Sequence, residues 1–151
     1  MSSATNPKTI VLSPEDGVER EAEASGDITP GQLVERVSGG KVRRHDDAGE
    51  AAQLAFAVEF RETGRGIDDD YVDGDQVKYQ VLPEGVEVYA FLQEGENVTE
   101  GDELASNGNG NLKAAAAGDN IVAIAAEDVN ASSGDTRVTV ETAKGYITSG
   151  T

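Results

Sequence analysis

Val77-Lys78-Tyr79-Gln80-Val81, Leu82-Pro83-Glu84-Gly85 and Val86-Glu87-Val88-Tyr89-Ala90-Phe91 follow one another without a break. In the first and third segments apolar and polar residues alternate with a period of two. That puts one face of an extended strand inward and the other in solvent. The middle segment reads as a turn joining the two strands. Pro83 presets φ at one corner, and Gly85 tolerates a positive φ at the next.

Moving outward, the same reading repeats. Short Val-rich runs bounded by Gly, Asp or Asn predict strands at Thr9–Leu12, Val18–Glu23, Gln32–Val37, Lys41–His45, Gln53–Phe60, Gln76–Leu82, Val86–Leu92, Asn120–Ala126 and Arg137–Thr142. Only Ala48–Ala52 and Lys113–Ala117 read as single helical turns. Many short strands at this spacing predict an all-β chain, a small β-barrel or sandwich. The expected organisation is an extended N-terminal arm with the first strand over 1–16, then a single barrel domain over 17–151.

The chain also echoes itself. Gly26-Asp27-Ile28-Thr29-Pro30-Gly31-Gln32-Leu33 resembles Gly95-Glu96-Asn97-Val98-Thr99-Glu100-Gly101-Asp102-Glu103-Leu104. Gly40-Lys41-Val42 then parallels Gly110-Asn111-Leu112, Ala48-Gly49 parallels Ala117-Gly118, and Ala55-Phe56-Ala57-Val58-Glu59 roughly parallels Ile124-Ala125-Ala126-Glu127. Two copies of one turn-and-strand unit predict pseudo-repeated halves.

The 151 residues carry 29 acidic and 12 basic side chains, a formal charge of −17. A basic face for nucleic acid or an anionic membrane is therefore not expected. The carboxylates are dispersed and the apolar residues small, as in proteins of extreme halophiles. There is no Cys, which excludes disulfides, Cys-ligated zinc and thiol catalysis. No apolar run approaches the ~18 residues of a membrane helix. The first residues lack the basic and apolar regions of a signal peptide.

Candidate chemistry is thin. Asp68, Asp70, Asp73 and Asp75 form the densest carboxylate cluster, a weak candidate cation loop. The twelfth position from Asp68, where an EF-hand places a bidentate Glu, is Tyr79. The one histidine, His45, sits in Arg43-Arg44-His45-Asp46-Asp47 and reads as a strand-end residue in a charged patch. No nucleophile–base pair stands out, so no catalytic residue and no cofactor is expected. Asn97-Val98-Thr99 and Asn130-Ala131-Ser132 match the glycosylation pattern and are read as unused. Lys113 lacks the surroundings of a biotinyl or lipoyl lysine. Partner contacts are expected at Thr9, Ile10, Val11 and Leu12, suited to edge pairing, and at Arg43 and Arg44, the adjacent basic pair.

The turns carry a resemblance. Gly26-Asp27-Ile28-Thr29-Pro30-Gly31-Gln32-Leu33-Val34, the strand Leu54–Val58, Tyr71…Gly74-Asp75-Gln76-Val77, and Gly101-Asp102-Glu103-Leu104…Gly110-Asn111-Leu112 are similar to the small capsid decoration (cement) proteins of tailed viruses. The resemblance implies a β-barrel without catalysis that stabilises the outer surface of the capsid shell. Its implied partners are the major capsid protein and itself, as a homotrimer. Its implied place is the virion surface, after assembly in the host cytoplasm. The acidic composition adds a virus of halophilic archaea. A cell-surface or S-layer-associated β domain is the competing expectation.

Overall fold

The computed structural model describes residues 7–13 and 17–146. The strands are β1 (Val11–Ser13), β2 (Val18–Ala24), β3 (Val34–Val37), β4 (Lys41–Arg44), β5 (Ala55–Ala57), β6 (Gln76–Val81), β7 (Glu87–Leu92), β8 (Asn97–Val98), β9 (Glu103–Ser106), β10 (Leu112–Ala114), β11 (Asn120–Ala125), β12 (Val129–Asn130) and β13 (Thr136–Tyr146). The helical content of the described residues is one 3-10 turn, Arg61–Thr63. The chain is all-β.

Where one barrel was expected over 17–151, the pairings close two. In the first, β3-β4-β2-β6-β5 lie side by side, and the bridge Leu33↔Phe56 returns β5 to β3. In the second, β7-β10-β9-β11-β13 closes because β13 also pairs with β7. Closure removes most of the sheet edges that an open sheet leaves unpaired.

The two rings share one connectivity. Each begins with a strand that runs parallel to the second strand of the hairpin that follows, β2 with β4 and β7 with β10. Each hairpin is antiparallel, β3–β4 and β9–β10. Each ring ends with an antiparallel return, β2–β6 and β7–β13. The correspondence reaches single residues. Leu33↔Phe56 of the first ring is Glu103↔Ile124 of the second. Ala57↔Tyr79 is Ala125↔Val140. The turn before the hairpin repeats atom for atom. Gly31 N–H donates to Ala57 O at 2.7 Å, and Gly101 N–H to Ala125 O at 2.8 Å. Thr29 N–H donates to the Gln32 side chain, and Thr99 N–H to the Asp102 side chain, both at 2.9 Å. The internal echo in the sequence is this shared unit.

The regular stretch 77–91 is the hinge between the rings. Its two strands are consecutive but belong to different barrels. Gly85 has φ +90°, as the turn required. Three local expectations change. Ala48–Ala52 forms no helix, and Lys113–Ala117 contributes to β10 instead. The long run Gln53–Phe60 is paired as strand only at Ala55–Ala57. β9 and β10 were hidden among Gly, Asn and Ser, where alternation is too short to read.

A smaller apolar cluster fills the first ring, with Val34, Val42, Tyr71, Val77 and Tyr79. The larger cluster joins the second ring's Val88, Leu92, Leu104 and Val138 to Leu33, Leu54, Phe56 and Ile67 of the first half. The halves are therefore packed through shared core, not merely tethered.

Candidate functional site

The seam between the barrels holds the polar residues that a sequence search for chemistry would choose. His45 is buried there, 2% exposed, rather than lying at a charged surface. Its Nε2 lies 3.3 Å from the Ala51 carbonyl, which only accepts, so Nε2 carries the proton. Its Nδ1 lies 2.7 Å from Ser106 Oγ, and that oxygen also accepts from Gly108 N–H at 3.1 Å. The main chain is stitched at the same place. Leu33 N–H donates to Gly110 O (2.8 Å), and Gly110 N–H donates to His45 O (3.0 Å). Gln32 donates to Asn111 Oδ1 at 3.1 Å. Histidine, serine and two amides satisfy buried polar groups on both sides of the seam. There is no carboxylate behind the imidazole at hydrogen-bond distance. The nearest, Glu35, is 3.9 Å away.

Arg137 of β13 clamps the other side. It donates to Pro30 O at 3.1 Å and Ile67 O at 2.6 Å, and its guanidinium lies 4.3 Å from the Phe91 ring centroid. Burial pushes its pKa down, and Asp68 at 3.5 Å opposes that shift.

The candidate cation loop is not assembled. Asp68 faces Arg137, Asp73 Oδ1 accepts from Gly26 N–H (2.8 Å), and Asp75 Oδ2 accepts from Val72 N–H (2.9 Å). Among the described residues no group of three or more Asp, Glu or His is placed to hold a metal. The carboxylates close turns instead, which is why they cluster in the sequence.

The expected partner contacts are largely consumed within the chain. β1 pairs with β7, and Ile10 and Val11 are buried there at 0% and 3% exposure. Thr9 donates to Glu59 at 2.6 Å, and Ile10 N–H to the same carboxylate at 3.0 Å. Leu12 is half-buried. Arg43 is held by Glu35 at 2.9 Å and Asp46 at 3.0 Å; the bond to Glu35 leads in raising its pKa. Arg44 is half-buried, and its aliphatic stem lies over Gly110. The free extended arm becomes a docked strand over its described part; residues 1–6 and 14–16 lie outside the described residues. Asn97 and Asn130, from the two glycosylation patterns, are cross-strand partners in the β8–β12 ribbon.

No protein-family model matches the chain, and no curated protein matches it. Among solved structures it is similar to the N base of head fiber gp8.5 of bacteriophage phi29, with a TM-score of 0.59 and 14% identity. The match covers 85% of this chain and 95% of that one. At that identity the likeness is one of fold, and it extends over both barrels.

Proposed function

We propose that the chain is a non-enzymatic structural protein of a virion, seated on the outer surface of the major capsid shell, which it stabilises. The observation that carries this reading is the architecture itself. The two-barrel fold of this chain is similar to that of a phage head-fiber base over 85% of this chain and 95% of that one. The seam adds support, since its polar residues are spent on holding the halves together. The working assembly is a homotrimer on the particle, assembled in the host cytoplasm. Cyclic assembly would multiply weak contacts into stable attachment. Ile10 and Val11 are buried within the chain, so in this reading the shell is met by other surface.

The test is co-expression with the major capsid protein of the virus encoding this chain, followed by reconstruction of the particles. Density for both barrels at defined lattice positions on the exterior is expected. Particles that assemble without it, or density inside the shell, would overturn the reading. The dispersed acidity further assigns a high-salt setting. The melting temperature should rise between ~0.1 M and ~2 M NaCl, as screening removes carboxylate repulsion. A flat profile would remove that part.

A further inference from the structure

The shared connectivity exposes one difference at an edge. In the second barrel, the outer edge of β7 is covered: β1 pairs with it at Val88, and Tyr89 N–H donates to Ile10 O at 2.8 Å. In the first barrel the matching edge belongs to β2. Tyr79 pairs with Arg20 as Val140 pairs with Val88, so Arg20 stands where Val88 does and Glu21 where Tyr89 does. β2 meets β4 only at Glu23 and Ala24, then the two diverge. Among the described residues nothing pairs with the edge from 18 to 22. Ladder alternation turns the N–H and C=O of Glu19 and Glu21 toward that opening, as at Tyr89. The opening is a groove of about 310 Å³ between β2 and the β3–β4 hairpin, whose lining includes Glu19, Arg20, Glu21, Arg36, Lys41 and Tyr79.

We propose that this edge is a docking site for an extended acidic segment of another protein, added antiparallel to β2 as β1 is added to β7. The charges choose the occupant. The outward glutamates already have partners: Glu19 with Lys78 at 3.5 Å, Glu23 with Lys41 at 3.6 Å, and Glu21 accepting from Gln76 at 3.3 Å. Arg20 and Arg36 are exposed, and among the described residues neither has a carboxylate within 4.0 Å. Both lie on the inward alternation of their strands, opposite Tyr79 and Val42. A carboxylate on the inward alternation of an added strand meets both. A second copy of β2 does not fit. Any antiparallel register that keeps the two sheets' faces aligned sets Glu19, Glu21 and Glu23 against one another, which is repulsive. Main-chain bonds supply the affinity of such an addition, and the alternate side chains supply its selectivity.

The test titrates the isotope-labelled full chain with a blocked peptide, Thr-Glu-Val-Glu-Val-Glu-Thr, followed by amide NMR in ~0.15 M salt. Saturable shifts at Glu19, Arg20, Glu21 and Arg36 are expected. The block-ordered peptide of equal composition should give none. Two exposed substitutions together, Arg20→Glu and Arg36→Glu, should weaken binding about tenfold or more. They should also admit a peptide alternating Lys and Val. Glu21→Pro removes only an edge-facing N–H and should weaken binding with the barrel intact. Equal binding of the block-ordered peptide, shifts elsewhere, or full binding by the charge-reversed variant would overturn the proposal. Concentration-dependent protection of Glu19 and Glu21 without peptide would also overturn it, in favour of a second copy.

Discussion

The two barrels put the same pair of positions into opposite surroundings. In the first, Leu33 and Phe56 form the closing bridge and are both fully buried. In the second, the matching bridge is Glu103 and Ile124, one exposed and one half-buried. Connectivity and register are equal, so the backbone did not demand the difference. The outer face of the first bridge meets the second barrel's core; the outer face of the second bridge meets water. The same contrast separates Val88, under β1, from Arg20, under nothing described. A shared ring of hydrogen bonds therefore sets where strands lie, and neighbouring mass sets which side chains they carry.

The sharpest way to break this comparison is to truncate both bridges. Phe56→Ala should cost about 3–5 kcal/mol, as expected for a buried aromatic. Ile124→Ala at the matching position should cost under ~1.5 kcal/mol, because that side chain is only partly buried. Urea unfolding of the two variants measures this, and equal losses would mean the seam is not the shared core described. The loss in Phe56→Ala should appear in one transition, since its cavity opens into the core of both halves.

The covering strand gives the next largest effect. Ile10→Ala removes a fully buried side chain from the cap of the second barrel and should cost about 2–4 kcal/mol. Val18→Ala on the uncovered strand, where Val18 is 54% exposed, should stay within ~0.5 kcal/mol. Similar values for both would show that β1 is dispensable to the barrel it covers.

The repeated turn allows a finer test. Gly31 and Gly101 have φ +102° and +98°, and both accept the strain of an alanine poorly. A Cβ on Gly31 would also come within 2.8 Å of the Tyr89 carbonyl, while one on Gly101 meets nothing within 4 Å. Gly101→Ala should cost ~1 kcal/mol, and Gly31→Ala about 1–3 kcal/mol more, because the clash is with backbone. Thermal melts of the pair separate the strain from the seam.

The smallest effect concerns Tyr71, which only the first barrel has. Its O–H donates to Val58 O at 2.7 Å, and burial pushes its pKa up to about 12. The raised folded value means that its stabilisation is complete below pH ~10 and is lost as pH rises toward 12. Tyr71→Phe should cost ~1 kcal/mol at neutral pH and flatten the alkaline decline. A decline of unchanged slope in the variant would place the titrating group elsewhere. Tyr89 is one such group, since burial raises its pKa too.

Much of this molecule was written in local pattern. Val77–Val81 and Val86–Phe91 alternate because each has one face against a core, so β6 and β7 were legible. Gly31 and Gly101 were legible as a repeated turn because a positive φ restricts the residue type to glycine. What local pattern does not carry is which strands close on which. Nothing between Ala55 and Phe60 says that the chain pairs for only three residues before the 3-10 turn. Nothing in Val77–Phe91 says that its two strands part into separate rings. The site suffered most. Asp68–Asp75 resembled a ligand loop because carboxylates that close turns and carboxylates that bind cations share one composition. His45 resembled a surface residue because its neighbours in sequence are charged, while its neighbours in space, Ser106 and Ala51, are not. The open edge of β2 was invisible for the same reason. An unpaired strand is defined by what is absent beside it, and only long-range pairing decides that. Of the 151 residues, the composition and turns determined an acidic, cysteine-free, all-β chain with repeated halves. Tertiary structure alone decided that the repeat closes as two barrels, that β1 covers one of them, and that β2 is left open on the other.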